Sequence, residues 1–85
     1  MASRDAPVKP LRMLKSAINK EVVVHTKDGL AYAGRLIMTD STMNVVMRDC
    51  REINPENGQE IAKYGTVLLR GSQILYVVIR GQGLH

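Results

Sequence analysis

Residues 39–49 read TDSTMNVVMRD. In them a carboxylate, Asp40, and a carboxamide, Asn44, stand four positions apart in a short connection between two apolar runs. An ionised carboxylate only accepts hydrogen bonds, whereas an amide both donates and accepts. Asp and Asn side chains readily bond to nearby backbone and shape a turn, so turn chemistry alone can want both. A second connection holds Arg70, Gly71 and Ser72, and by itself Arg70 reads as a solvated turn residue. The other reactive residue types are scattered. His25 and His85 lie far apart without partners of ligand type, so no metal site is expected. Cys50 has no His or Lys close by in sequence and reads as a small buried residue, not a nucleophile. With no acid–base or nucleophile set in view, neither catalysis nor a cofactor is expected.

The elements that must position these residues are mostly strands. Pro10 opens a helical pattern, PLRMLKSAIN, in which Leu11, Leu14 and Ile18 recur on one face. Proline suits a first helical position, because its missing N–H would be unpaired there. Asn19-Lys20 ends the pattern. Val22, Val24 and Thr26 then alternate with Val23 and His25, and Asp28-Gly29 is a strong hairpin signal. Beyond it, Tyr32, Gly34, Leu36 and Met38 alternate with Ala31, Ala33, Arg35 and Ile37. Gly34 in mid-strand predicts a bend, a bulge or a close backbone approach. NVVMRDCREI predicts a third strand, with Val45, Met47 and Asp49 on one face and Val46, Arg48 and Cys50 on the other. NPENGQEIAK reads as a loop. YGTVLLR and QILYVVI are two more strands, and the glycine-centred link between them suits a tight hairpin.

One helix followed by five strands predicts an all-β domain: a small, strongly bent, five-stranded SH3-like barrel with a short N-terminal α-helix. The last two strands are apolar and carry little charge to block edge pairing. They are expected to invite a neighbour's strand.

Eighty-five residues bound the chain to one domain. Residues 1–9 read as a flexible basic arm, 10–80 as the folded domain and 81–85 as a flexible tail. The composition is 45% apolar, too high for a disordered chain. Twelve basic residues against eight acidic give +4, and a basic balance favours polyanionic partners. No apolar run approaches the roughly 20 residues that span a membrane. The first ten residues hold no apolar core of a secretory signal. A single cysteine forms no intrachain disulfide and fits a reducing interior. A cytoplasmic location is expected, with no membrane partner.

The chain resembles the Sm/LSm proteins, most closely the compact archaeal Sm-like proteins, over roughly residues 8–80. The first motif stands as VVVHTKDGLAYAGRLIMTDSTMNVVMRDCREI, marked by Gly29, Gly34, Leu36, Asp40, Met43, Asn44 and Val46, with an acid at Glu52. The second stands as KYGTVLLRGSQILYVVI, marked by Gly65, Val67, Arg70, Gly71 and Ile74. The resemblance implies the Sm fold and a homo-oligomeric ring, a heptamer in the archaeal branch, closed by pairing the fourth strand of one subunit with the fifth of the next. It implies single-stranded, U-rich RNA at the pore and a scaffold or chaperone role in RNA processing. The alternative is a structural ring whose main partners are RNA-processing proteins.

Carried across residue by residue, the resemblance implies a base pocket built from Asp40, Thr42, Asn44, Arg70, Gly71 and Ser72. The chemistry is coherent. Uracil shows an N3–H donor beside an O4 acceptor, which an amide can meet with two hydrogen bonds. The same amide flipped would read cytosine, so Asp40 is expected to hold Asn44 by one N–H. Arg70 can stack on a base and carry charge toward phosphate, and Gly71 lets backbone approach closely. Two positions depart from the family. Thr42 stands where His or an aromatic is common and has no π face, and Ser72 stands where Asn or Asp is frequent. Weaker stacking per site is expected.

Overall fold

The computed structural model describes residues 10–80. The basic arm and the tail expected at either end lie outside the described residues. Helix α1 spans Pro10–Ser16, and five strands follow: β1 (Glu21–Thr26), β2 (Ala31–Thr39), β3 (Val45–Ile53), β4 (Glu60–Leu69) and β5 (Ile74–Ile79). They form one antiparallel sheet in the order β4-β3-β2-β1-β5, the bent five-stranded all-β architecture that the pattern predicts. No described helix is long and apolar enough to cross a membrane.

The helix is shorter than the predicted PLRMLKSAIN. After Ser16 the chain tightens into i→i−3 bonds, Ala17 to Leu14 (3.0 Å) and Ile18 to Lys15 (3.2 Å). It stops at Asn19, whose φ of 73° a helix cannot continue. Asn19 N–H then bonds Leu36 O, and Leu36 N–H bonds Lys20 O. These bonds lash the helix end to β2. The core holds what the pattern predicts on this side, Leu14 of the helix, Val22 and Val24 of β1, Leu36 of β2, and Val45 and Met47 of β3, joined by Ala17, which lay outside the predicted apolar face.

Bulges correct the alternation in two places. On β3, Met47 faces Val67 of β4, but the next partners are Cys50 and Gly65, so one extra residue is inserted. Asp49 sits there at φ 54°, a left-handed conformation that Asp tolerates. Strict alternation would aim Asp49 into the core beside Val45 and Met47, and a buried unpaired carboxylate is costly. The bulge exposes Asp49 and buries Cys50 in its place. Burial pushes the Cys50 thiol up, against a smaller downward pull from Arg51. On β2, a second irregularity between Leu36 and Met38 turns Met38 outward, where it is 59% exposed. Gly34 lies against the β3 bulge. A Cβ there would stand 2.9 Å from Arg48 O and 3.1 Å from Cys50 Cα, so the expected close backbone approach is real.

Two further expectations are corrected. The loop before β4 ends at Gln59, and Glu60–Lys63 are strand, paired through Ala62 to Glu52. The charged ends Glu60 and Lys63 and the exposed Ile61 hide a strand that is wet on most of its surface. Nor do β4 and β5 form a hairpin. A single 3₁₀ turn, Gly71–Gln73, separates them, and β5 crosses to pair with β1 while β4 pairs with β3. They are therefore the two edges of the sheet. Both edges carry exposed apolar side chains: Ile61, Tyr64 and Leu68 on β4, and Leu75, Tyr76 and Val78 on β5.

Candidate functional site

The chain from Asp40 to Asn44 is held by its own side chains. Met43 N–H bonds Asp40 O (2.9 Å), and Met43 adopts φ 65° to make the turn. Asp40 Oδ1 accepts from the backbone N–H of Thr42 (3.0 Å) and of Asn44 (3.1 Å), and from the Thr42 hydroxyl (2.8 Å). Turn chemistry is thus present. It also sets the amide. Asn44 Nδ2 donates to Asp40 Oδ2 (3.1 Å) and to Thr42 Oγ1 (2.9 Å), while Asn44 Oδ1 accepts from Gly71 N–H (2.7 Å). A backbone N–H can only face the amide oxygen, and a carboxylate can only face the amide nitrogen. Asn44 therefore has one orientation.

Gly71 comes from the connection between β4 and β5, 27 residues on from Asn44. A Cβ at this position would clash with the Thr42 carbonyl oxygen and stand 2.9 Å from Met43 C and O. Only glycine lets the two connections meet. The donors around Asp40 hold its carboxyl below the ordinary carboxylate range, the Thr42 hydroxyl foremost and the Asn44 amide next, against the opposing effect of desolvation.

Thr42, Asn44, Arg70, Gly71 and Ser72 line one open groove, which continues between Met13 of α1 and the apolar side chains of β5. Asp40 is not on its wall but is bonded to Thr42 and Asn44, which are. Of the six residues named from the sequence, Asp40, Thr42, Asn44 and Gly71 share one hydrogen-bond network. The side chains of Arg70 and Ser72 are exposed beside it. Sequence reasoning missed Thr39, whose hydroxyl bonds Asn44 O (2.9 Å) and closes the base of the loop. Its signal was a hydroxyl at the strand end, directly before the acid. Tyr32 is half-buried against the core.

The LSM domain family model matches residues 12–79. This chain belongs to the LSM family. A protein of Thermococcus sibiricus named for its likeness to snRNP Sm proteins is 38% identical over 69 residues, which cover 81% of this chain and 88% of that one. The Sm protein of Pyrococcus abyssi, solved in complex with a uridine heptamer, superposes with a TM-score of 0.77 at 32% identity, covering 85% of this chain and 99% of that one. A heptameric archaeal Sm protein gives a TM-score of 0.70 at 29% identity, covering 80% and 96%.

Proposed function

We propose that this LSM chain forms a homo-oligomeric ring, a heptamer, that holds single-stranded U-rich RNA and serves as a scaffold or chaperone in RNA processing. It works in the cytoplasm, by binding and not by catalysis. The observation that carries the reading is the Asn44 amide, held in one orientation by Asp40, Thr42 and Gly71 at the wall of an open groove. Such a group can sort bases by the hydrogen-bonding pattern of their edges. Arg70 stands beside it to stack on a base or meet phosphate. The related proteins support the reading: one binds a uridine heptamer and another is heptameric.

Ring formation follows from the edges. β4 and β5 each leave one side without a strand partner among the described residues, and both present apolar side chains. Pairing β4 of one subunit with β5 of the next is a heterologous contact, which closes into a ring when the rotation permits. Native mass measurement with and without oligouridine tests both claims. The expected mass is seven times 9.4 kDa, about 66 kDa, rising by a bound strand when oligouridine is added. A monomer at micromolar concentration would overturn the ring. Leu75→Asp, on the exposed flank of β5, is expected to shift the mass to smaller species.

A further inference from the structure

The hydrogen bonds of the Asp40–Asn44 loop leave the Asn44 amide one open valence. We propose that Thr42 makes this amide an acceptor-only reader, so that the pocket selects bases by their imino N–H and not by the carbonyl beside it. The inference rests on the RNA-binding reading above and names the base edge that the site takes.

An amide nitrogen has two hydrogens. At Asn44 one goes to Asp40 Oδ2 (3.1 Å) and the other to Thr42 Oγ1 (2.9 Å). Thr42 can take it because its own proton is committed to Asp40 Oδ1, 2.8 Å away. The Asn44 oxygen has two lone pairs, and Gly71 N–H occupies one at 2.7 Å. The other lone pair is the only group the amide can offer a ligand without breaking a bond to its own loop. Uracil and guanine carry an imino N–H that fits it. Cytosine and adenine carry a ring-nitrogen lone pair at the corresponding position, so acceptor would face acceptor. The two-bond amide–uracil contact expected from the sequence needs a free N–H, and Thr42 has taken it. Thr42 is thus a positioning residue acting through Asn44. Valine at this position keeps the shape and returns one N–H to the groove, and serine keeps the hydroxyl.

The test is fluorescence anisotropy on the full chain at fixed salt with labelled heptamers of uridine, cytidine, 3-methyluridine and 4-thiouridine. The 3-methyl group removes the imino N–H, and the 4-thio group keeps it while replacing the neighbouring carbonyl with a weak acceptor. 4-Thiouridine is expected to bind within about twofold of uridine, with cytidine and 3-methyluridine about tenfold weaker or more, the cost of an unmet acceptor. Thr42→Val should open a gap between uridine and 4-thiouridine, and Thr42→Ser should close it again. If 4-thiouridine falls as far as 3-methyluridine on the unmodified chain, the amide donates to the carbonyl and the inference is overturned while RNA binding stands. An unchanged analogue pattern in Thr42→Val overturns the role of Thr42. Failure to bind oligouridine at all overturns the RNA-binding reading together with this one. Thermal melting of each variant accompanies the titrations, and if Thr42→Val does not fold, the analogue series on the unmodified chain decides alone.

Discussion

Gly71→Ala is the most direct probe of how the two connections meet. The added methyl would sit against the Thr42 carbonyl and within 2.9 Å of Met43 C and O. All of these atoms are backbone, and none can swing aside as the end of a side chain would. The Met43 backbone is already committed to a left-handed turn at φ 65°. One connection must therefore retreat, and the first bond lost is Gly71 N–H to Asn44 Oδ1, 2.7 Å long. Overpacking costs about 1–3 kcal/mol, and a hydrogen bond contributes about 1 kcal/mol, so the substitution should destabilise by about 2–4 kcal/mol. For a domain of this size that lowers the melting temperature on the order of 10–25 °C. Assembly makes stability depend on concentration, so scans are compared at equal protein. Gly58→Ala is the control: Gly58 sits at φ 76° with nothing within 4 Å of a built Cβ, so it carries backbone strain but no clash. That control should leave oligouridine binding intact, while Gly71→Ala should lose it, because Asn44 loses the donor that holds its oxygen in place. An unchanged melting temperature and unchanged binding in Gly71→Ala would refute the reasoning, since the two connections could then not be in contact as described.

Two other predictions concern charge. The Asp40 pKa is depressed in the folded chain, so its contribution is complete above the ordinary Asp value near about 3.9 and is lost as pH falls below that value through the depressed one. The side-chain amide resonances of Asn44 should hold their positions down to the ordinary carboxylate range and move only below it; a midpoint at or above the ordinary value would contradict the network. Arg70→Lys should leave the oligomer intact and weaken oligouridine binding, because base stacking on a planar group is worth about 1–3 kcal/mol and an ammonium cannot supply it. Equal affinity would assign Arg70 to charge alone.

Where alternation met no bulge, the fold was legible. Val22 and Val24 face the core, Pro10 opens the helix, and Gly34 marks a close approach. Each of these needs only a local period or a local conformational demand. The misassigned strand faces have one physical cause. A strand face assigned by counting in twos is wrong after an inserted residue, and an insertion is decided by the neighbouring strands. Asp49 and Cys50 exchange faces because β3 carries three residues against two on both β2 and β4. The same holds at the chain's last turn. Arg70–Gly71–Ser72 looked like a hairpin from its composition, but β4 pairs with β3 and β5 with β1. Adjacent strands in sequence became opposite edges in space, and no local residue pattern distinguishes the two outcomes.

The site divides along the same line. An acid and an amide four residues apart raised a choice between a turn device and a ligand device, and the hydrogen bonds show the turn device itself fixing the amide. The oxygen of Asp40 that caps the backbone N–H groups of Thr42 and Asn44 also accepts from the Thr42 hydroxyl, and its other oxygen accepts from the Asn44 amide N–H. Closing the turn and orienting the amide are a single act, so a loop that holds its shape holds the amide in place as well. The contribution of Thr42 was not legible, because at a position associated with stacking a hydroxyl looks like a loss. Only the direction of two bonds, one given to Asp40 and one received from Asn44, turns that apparent loss into a constraint on which amide atoms stay free. Gly71 completes the constraint from a distant part of the chain, and it can do so only because it has no side chain to keep the two connections apart.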